Sequence, residues 1–143
     1  MVDFFSPSTI LGAAASLSAS LILHECGHLA AAKLAGVPIR SIGISWKGPY
    51  VLRGRSPIPI VDATISMAGV IVNLLLAALF WSLLPDFARI NLQLGLFNAL
   101  PFIPCSDGRN AWRTLRDAIR SSNENLPNGL ALSRSASAKI TVP

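Results

Sequence analysis

Three apolar stretches alternate with basic segments along the chain, and this pattern predicts three membrane-spanning helices. The first stretch covers about residues 9–33, and the second covers residues 63–84 without a single charge. Each is long enough to cross a hydrocarbon core of about 30 Å. The third, about residues 89–106, is shorter and contains Pro101 and Pro104. We expect its helix to break at Pro101, at membrane depth.

The positive charges lie in the connecting segments and predict the orientation in the membrane. Five basic residues lie at the end of the first stretch or in the loop after it, and four follow the third stretch: Lys33, Arg40, Lys47, Arg53, Arg55, and Arg109, Arg113, Arg116, Arg120. The turn between the second and third stretches holds only Asp86 and Arg89 as charges. The positive-inside rule then predicts a multi-pass protein, in the cell membrane, with its N-terminus outside and both basic segments in the cytosol.

The composition agrees with a membrane protein and argues against nucleic-acid binding. Hydrophobic residues make up 52% of the chain and charged residues only 13%, about half the charged fraction of an average soluble domain. The net charge of +5 is spread over loops and the C-terminal segment, without a basic patch interleaved with aromatic residues. We therefore expect the lipid bilayer, and no nucleic acid, as a partner. The oligomeric state stays open.

Two short β-like runs in the first basic loop flank the tripeptide KGP and predict a hairpin over about residues 40–53. An irregular loop is the alternative. Residues 110–121 have the pattern of an amphipathic surface helix, and residues 121–143 that of a polar, disordered tail. The predicted fold class is an all-α integral membrane protein. It has a three-transmembrane-helix core in residues 1–120 and a small membrane-associated β-hairpin between helices 1 and 2.

The first apolar stretch contains the pentapeptide HECGH, which includes both histidines of the chain, His24 and His28, together with Glu25. Ionisable groups at membrane depth are costly, so they are candidates for a functional site. On a helix, residues i and i+4 share a face, and the two imidazoles can bind one metal ion. Glu25 lies beside them and can act as a general base. This is the arrangement of the HExxH motif in zinc-dependent hydrolases.

A catalytic zinc site usually has three protein ligands and one open position, so a third ligand is required. Asp107 is the first candidate, because a third helix that breaks at Pro101 ends at about the depth of His24. The stretch PFIPCSDG would then carry the carboxylate to the metal. Asp62, which marks the start of the second span, is the second candidate. We expect one zinc ion per chain, although the same ligands could hold iron or cobalt.

Three motifs together resemble the site-2 protease family of intramembrane zinc metalloproteases. They are HECGH in the first helix, SMAGVIVN in the second and LFNALPFIPCSDG at the end of the third. The resemblance covers residues 9–112 and indicates a minimal core without PDZ or CBS domains. One departure is Val70, which stands where the family motif AGPxxN has proline.

The resemblance implies a function and a set of site residues. It assigns roles to six positions: His24, His28 and Asp107 as zinc ligands, Glu25 as general base, and Asn73 and Asn98 as aids to substrate or transition-state binding. The reaction would be hydrolysis of a peptide bond within or near a transmembrane segment of a membrane protein substrate. A structural hydrogen bond between helices is the alternative for Asn73. Alternatives for the whole chain are a catalytically weak member that binds membrane proteins without cleaving them, and a membrane protein that binds or transports metal ions.

Overall fold

The structure is a computed structural model that describes residues 7–46 and 48–124. These residues form four helices and one two-stranded sheet. In chain order the elements are α1 (Pro7–Leu34), β1 (Ile39–Ser45), β2 (Gly48–Arg53), α2 (Pro59–Phe80), α3 (Pro85–Ala99) and α4 (Asp107–Glu124). The fold is thus mainly helical with a small antiparallel hairpin between the first two helices, as the sequence predicted.

Two helices, α1 and α2, are long and apolar enough to cross a bilayer, over Thr9–Leu34 and Pro59–Phe80. Only 17% of the most apolar part of α1 and 39% of that of α2 is buried inside the protein. An apolar core helix of a soluble protein would be mostly buried. Here many large apolar side chains point outward, among them Leu11, Ile22 and Leu79. Such an outer surface suits hydrocarbon better than water.

The second and third predicted spans differ from the helices in the structure. α2 runs from Pro59 to Phe80, about four residues earlier than the predicted 63–84. The sequence predicts Asp62 as a charge just outside the span, whereas this residue lies in the first turn of α2 and pairs with Arg53. α3 has 15 residues, or about 22 Å, and is shorter than a hydrocarbon core. The three-span core therefore stays a prediction.

The helices pack closely around a small polar interior. α1 contacts both α2 and α3, and α2 also contacts α3 and α4. A Cβ atom on Gly27 of α1 would lie 2.9 Å from the carbonyl oxygen of Ala68, so glycine allows the close approach of α2. Asn91 of α3 donates a hydrogen bond to Ser20 Oγ of α1 at 2.9 Å. His24 lies one helical turn after Ser20, on the same face of α1.

The hairpin covers residues 39–53 and confirms the predicted β structure of the basic loop. Its strands pair antiparallel, with Gly43 opposite Tyr50. A Cβ atom on Gly43 would lie 2.9 Å from the Tyr50 hydroxyl, so the tyrosine lies across the glycine. β2 also packs on α1, which brings the hairpin next to HECGH.

The helical structure is interrupted between α3 and α4, as Pro101 and Pro104 predict. Residues 100–106 form turns, and Ser106 then caps α4, because its Oγ accepts the backbone N–H of Arg109 at 3.2 Å. A Cβ atom on Gly108 would overlap the carbonyl oxygen of Ala99. Only glycine therefore lets the start of α4 lie against the end of α3.

The predicted amphipathic helix over residues 110–121 lies within α4, which is longer at both ends. It packs mainly on α2 and less on α3. Of the segment predicted as a tail, residues 121–124 belong to α4. The remainder of the tail lies outside the described residues.

Candidate metal centre

Three donor atoms from α1 and the start of α4 meet in the interior of the fold. His24 Nε2 and His28 Nε2 lie 3.2 Å apart. They lie 3.0 and 3.3 Å, respectively, from Asp107 Oδ2. Zinc bonds of about 2.0–2.1 Å in tetrahedral geometry separate the ligand atoms by about 3.3–3.4 Å. The three donors therefore already stand at about the separations that a tetrahedral zinc site requires.

The environment of this cluster fits a cation. Asp107 Oδ2 is buried, and no hydrogen bond satisfies it among the described residues. A neutral imidazole has one nitrogen with a proton and one with a lone pair, and an ionised carboxylate only accepts. With both Nε2 atoms unprotonated, three lone pairs face one another across the cluster. A divalent cation bound between them removes that repulsion, and two imidazoles with one carboxylate suit zinc.

A backbone contact sets the tautomer of His28. Its Nδ1 lies 2.8 Å from the carbonyl oxygen of Ile65 in α2. A carbonyl oxygen only accepts, so this nitrogen carries the proton and Nε2 keeps its lone pair. Metal-binding histidines normally donate their second ring nitrogen in this way.

Asn73 of α2 contacts the Nδ1 atom of His24 and can set the tautomer of that histidine in the same way. Its side-chain amide is fully buried, and its Nδ2 lies 3.1 Å from His24 Nδ1, while its Oδ1 has no partner in the described part of the chain. The two ends of an amide exchange by a half-turn of the side chain, and this assignment rests on hydrogen bonding. With Oδ1 turned towards His24, Asn73 accepts the Nδ1 proton and leaves Nε2 free for a metal. Asn73 thus contacts the ring nitrogen of His24 that faces away from the three-atom cluster.

Replacing Asn73 with leucine is expected to weaken zinc binding by about 10- to 100-fold, the usual cost of losing a residue that orients a metal ligand. The measurement is chelator competition on detergent-purified protein. Asn73→Asp should retain most of the affinity, because its carboxylate can still accept the Nδ1 proton. Asn98→Leu is the matched control on a neighbouring helix. Equal zinc affinity in the wild type and in Asn73→Leu would contradict an orienting role.

Glu25, the predicted base, lies beside the cluster and faces the hairpin. Its Oε2 accepts a hydrogen bond from the backbone N–H of Val51 in β2 at 3.1 Å. A pocket of about 240 Å³ borders Glu25, His28 and Asp107 and reaches Tyr50. The pocket therefore leaves space for water or a short polar segment next to Glu25 and two of the candidate ligands.

Gly69 of α2 is a site residue that the sequence argument did not single out. A Cβ atom there would lie 2.5 Å from Nε2 of both His24 and His28. Glycine thus leaves the space in which the ligand atoms meet. The available signal was a glycine in the middle of an apolar helix, which usually has a packing or functional reason. The neighbouring Val70 is buried and α2 continues through it, so the cluster forms without the family's proline.

Two other candidate residues lie outside this cluster. The Asp62 carboxylate pairs with Arg53 and accepts the backbone N–H of Ser56 at 3.2 Å. The structure therefore favours Asp107 over Asp62 as the third ligand. Asn98 is half-buried near the end of α3 and is not among the residues that line the pocket at Glu25. Its role in substrate binding stays a prediction.

Comparison with known proteins points to the same class of site. The chain is 33% identical, over 130 aligned residues, to "Putative zinc metalloprotease Rip3" of Mycobacterium tuberculosis, in two strains. It is 32% identical over 105 residues to "Zinc metalloprotease MJ0392" of Methanocaldococcus jannaschii. No family model and no solved structure matches the chain.

The two alignments cover 76% and 65% of this chain, but only 33% and 31% of the relatives. The chain thus spans about a third of the length of the curated relatives it matches. Within that span, the similarity supports the resemblance to zinc metalloproteases that the three sequence motifs indicate.

Proposed function

We propose that this chain forms the core of an intramembrane zinc endopeptidase of the site-2 protease family. It hydrolyses a peptide bond within or near a transmembrane segment of a membrane protein, as in regulated intramembrane proteolysis. The observation that carries the proposal is the meeting of His24, His28 and Asp107 beside Glu25, at a pocket. The similarity to proteins named zinc metalloproteases supports the class of reaction.

In this mechanism His24, His28 and Asp107 hold the zinc ion, which when bound supplies Lewis-acid chemistry and makes a water molecule more acidic. Glu25 accepts the proton of the attacking water and passes it to the leaving amine nitrogen. The N–H of Val51 holds Oε2 of Glu25, which leaves Oε1 for the proton. Asn73 and the carbonyl of Ile65 keep the two imidazoles in the tautomers that bind metal.

We further propose that the chain spans the bilayer several times, with its N-terminus outside and the zinc site towards the cytosol. The basic residues after α1 and in α4 support this orientation. His24 lies nine residues before Lys33, which places it about 13 Å from that end of α1. A substrate helix has to unwind at this depth, because hydrogen bonds within the helix shield its peptide bonds. The hairpin and Asn98 would hold the extended segment.

Removal and return of the metal tests this function. Cleavage of single-span proteins, co-reconstituted with the chain in vesicles, should stop in a chelator and resume with about one equivalent of zinc per chain. The readout is the shortened product on a gel, with its cut site located by mass spectrometry. Cleavage that survives complete removal of the metal would contradict the proposal. Binding of zinc and membrane proteins without any product would favour the alternative of a member that does not cleave.

A further inference from the structure

A larger cavity adjoins the metal centre on the side of the basic segments. It measures about 550 Å³ and lies between the hairpin, the first turns of α2, and α4. Four arginines and two aspartates line it: Arg53, Arg55, Arg113, Arg116, Asp62 and Asp117. It shares four lining residues with the pocket at Glu25: Val51, Arg53, Ser66 and Asn110. A substrate peptide that leaves the pocket at Glu25 in this direction therefore enters the arginine-lined cavity.

Two of the four arginines are already paired within the wall. Arg53 binds the Asp62 carboxylate, and Arg116 lies 3.7 Å from Asp117. The side chains of Arg55 and Arg113 form neither an ion pair nor a hydrogen bond with the described part of the chain. They come from different elements, the loop after β2 and the middle of α4. The cavity wall thus carries four arginines against two aspartates, an excess of positive charge, although Arg55 interacts electrostatically with Asp62 without touching it.

These charges matter because of where they lie. An exposed arginine on a convex surface is usually only solvated, and an ion pair there contributes little. Two arginines on the wall of one concave space act together, because a cleft with an excess of one sign of charge concentrates its field. The space also adjoins the candidate catalytic pocket, so its charge acts on the chain that the pocket binds rather than on a distant surface.

The charge of the residues that flank membrane segments decides which substrates such a cavity would favour. Cytosolic flanks of membrane segments are normally rich in lysine and arginine. Such a flank would bring like charges against Arg55 and Arg113, whereas an acidic flank would pair with them. On the basis of the proposed function, we propose that this cavity binds the flank of a membrane segment beside the cleaved bond. It thereby selects substrates with aspartate or glutamate at that flank.

The test measures binding to the Glu25→Gln protein, which retains the three metal ligands. The probes are two synthetic peptides with one shared apolar membrane segment, followed by a run of aspartates in one and of lysines in the other. In neutral detergent at low salt, the acidic peptide is expected to bind about tenfold more tightly, a difference of about 1.4 kcal/mol. The preference should shrink at about 1 M salt, where the screening length falls to about 3 Å.

A pair of charge-matched variants locates the effect. Arg55→Gln with Arg113→Gln should abolish the preference for the acidic peptide. Lys33→Gln with Arg40→Gln removes the same charge from the same predicted side of the membrane, away from this cavity, and should keep the preference. Unchanged zinc content in both shows that the fold is intact. Equal binding of the two peptides, or loss of the preference in both double variants, would overturn the inference.

Three further outcomes distinguish this inference from lipid binding at the same cavity and from the proposed function. If anionic lipid displaces the acidic peptide from the protein, and the Arg55/Arg113 variant loses lipid binding, the cavity is a lipid site and the inference is wrong. A chain that prefers acidic flanks but never cleaves would refute the proposed function alone. A zinc-dependent protease that binds both flanks equally would refute only the selectivity.

Discussion

Replacing Asp107 with alanine is expected to leave the purified chain with little or no bound zinc. The change removes the only oxygen donor of the cluster, and two imidazoles cannot supply the three protein ligands of a catalytic zinc site. The loss of affinity should exceed the about 10- to 100-fold expected for a residue that only orients a ligand. The measurement is metal analysis of detergent-purified protein. His24→Ala should have the same effect.

Two aspartate variants control this experiment. Asp117→Ala changes an exposed carboxylate on the same helix, α4, and should retain about one zinc per chain. Asp62→Ala removes the other candidate ligand and the partner of Arg53, and should retain zinc if the protein elutes as a folded species. Zinc retained without Asp107 but lost without Asp62 would move the third ligand to Asp62 and contradict the geometry of the cluster.

The meeting of the three ligands could be anticipated because each step follows a local rule. Helix periodicity puts His24 and His28 on one face, and helix rise sets their depth. Pro101 ends the third helix near that depth. The short segment after it then has little choice of where to carry Asp107. None of these steps requires knowledge of how one helix is rotated against another.

The contacts behind the ligands could not be anticipated in the same way. Asn73, Gly69 and the carbonyl of Ile65 all lie on α2, which is apolar on nearly every side. A helix without a clear polar face does not reveal which face will meet α1. The sequence therefore suggested a site role or a helix contact for Asn73 but did not identify His24 as its partner. It gave no role to Gly69.

The start of α2 differs from the predicted start of the second span for a related reason. The sequence predicts that Asp62 lies just outside the second span, whereas it belongs to the first turn of α2 and pairs with Arg53. That pairing depends on the hairpin folding back against α2. Charge alone marks the start of an apolar helix only where the tertiary structure offers no partner, and the sequence does not identify Arg53 as this partner.

Replacing Glu25 with glutamine is expected to lower the rate of peptide hydrolysis by about 10²- to 10⁴-fold while zinc stays bound. Glutamine has nearly the same shape, and its amide oxygen can still accept the hydrogen bond from Val51 N–H. It cannot take a proton from water at neutral pH. Because Glu25 is not one of the three donor groups, the metal content should equal that of the wild type.

The combination of lost turnover and retained zinc is what distinguishes a general base from a ligand. Glu25→Asp is the informative companion, since it keeps a carboxylate but draws it back by one methylene group, and should retain part of the rate. Loss of zinc in Glu25→Gln would instead make Glu25 part of the metal site. Wild-type cleavage by Glu25→Gln would remove Glu25 from the mechanism and leave the pocket without an identified base.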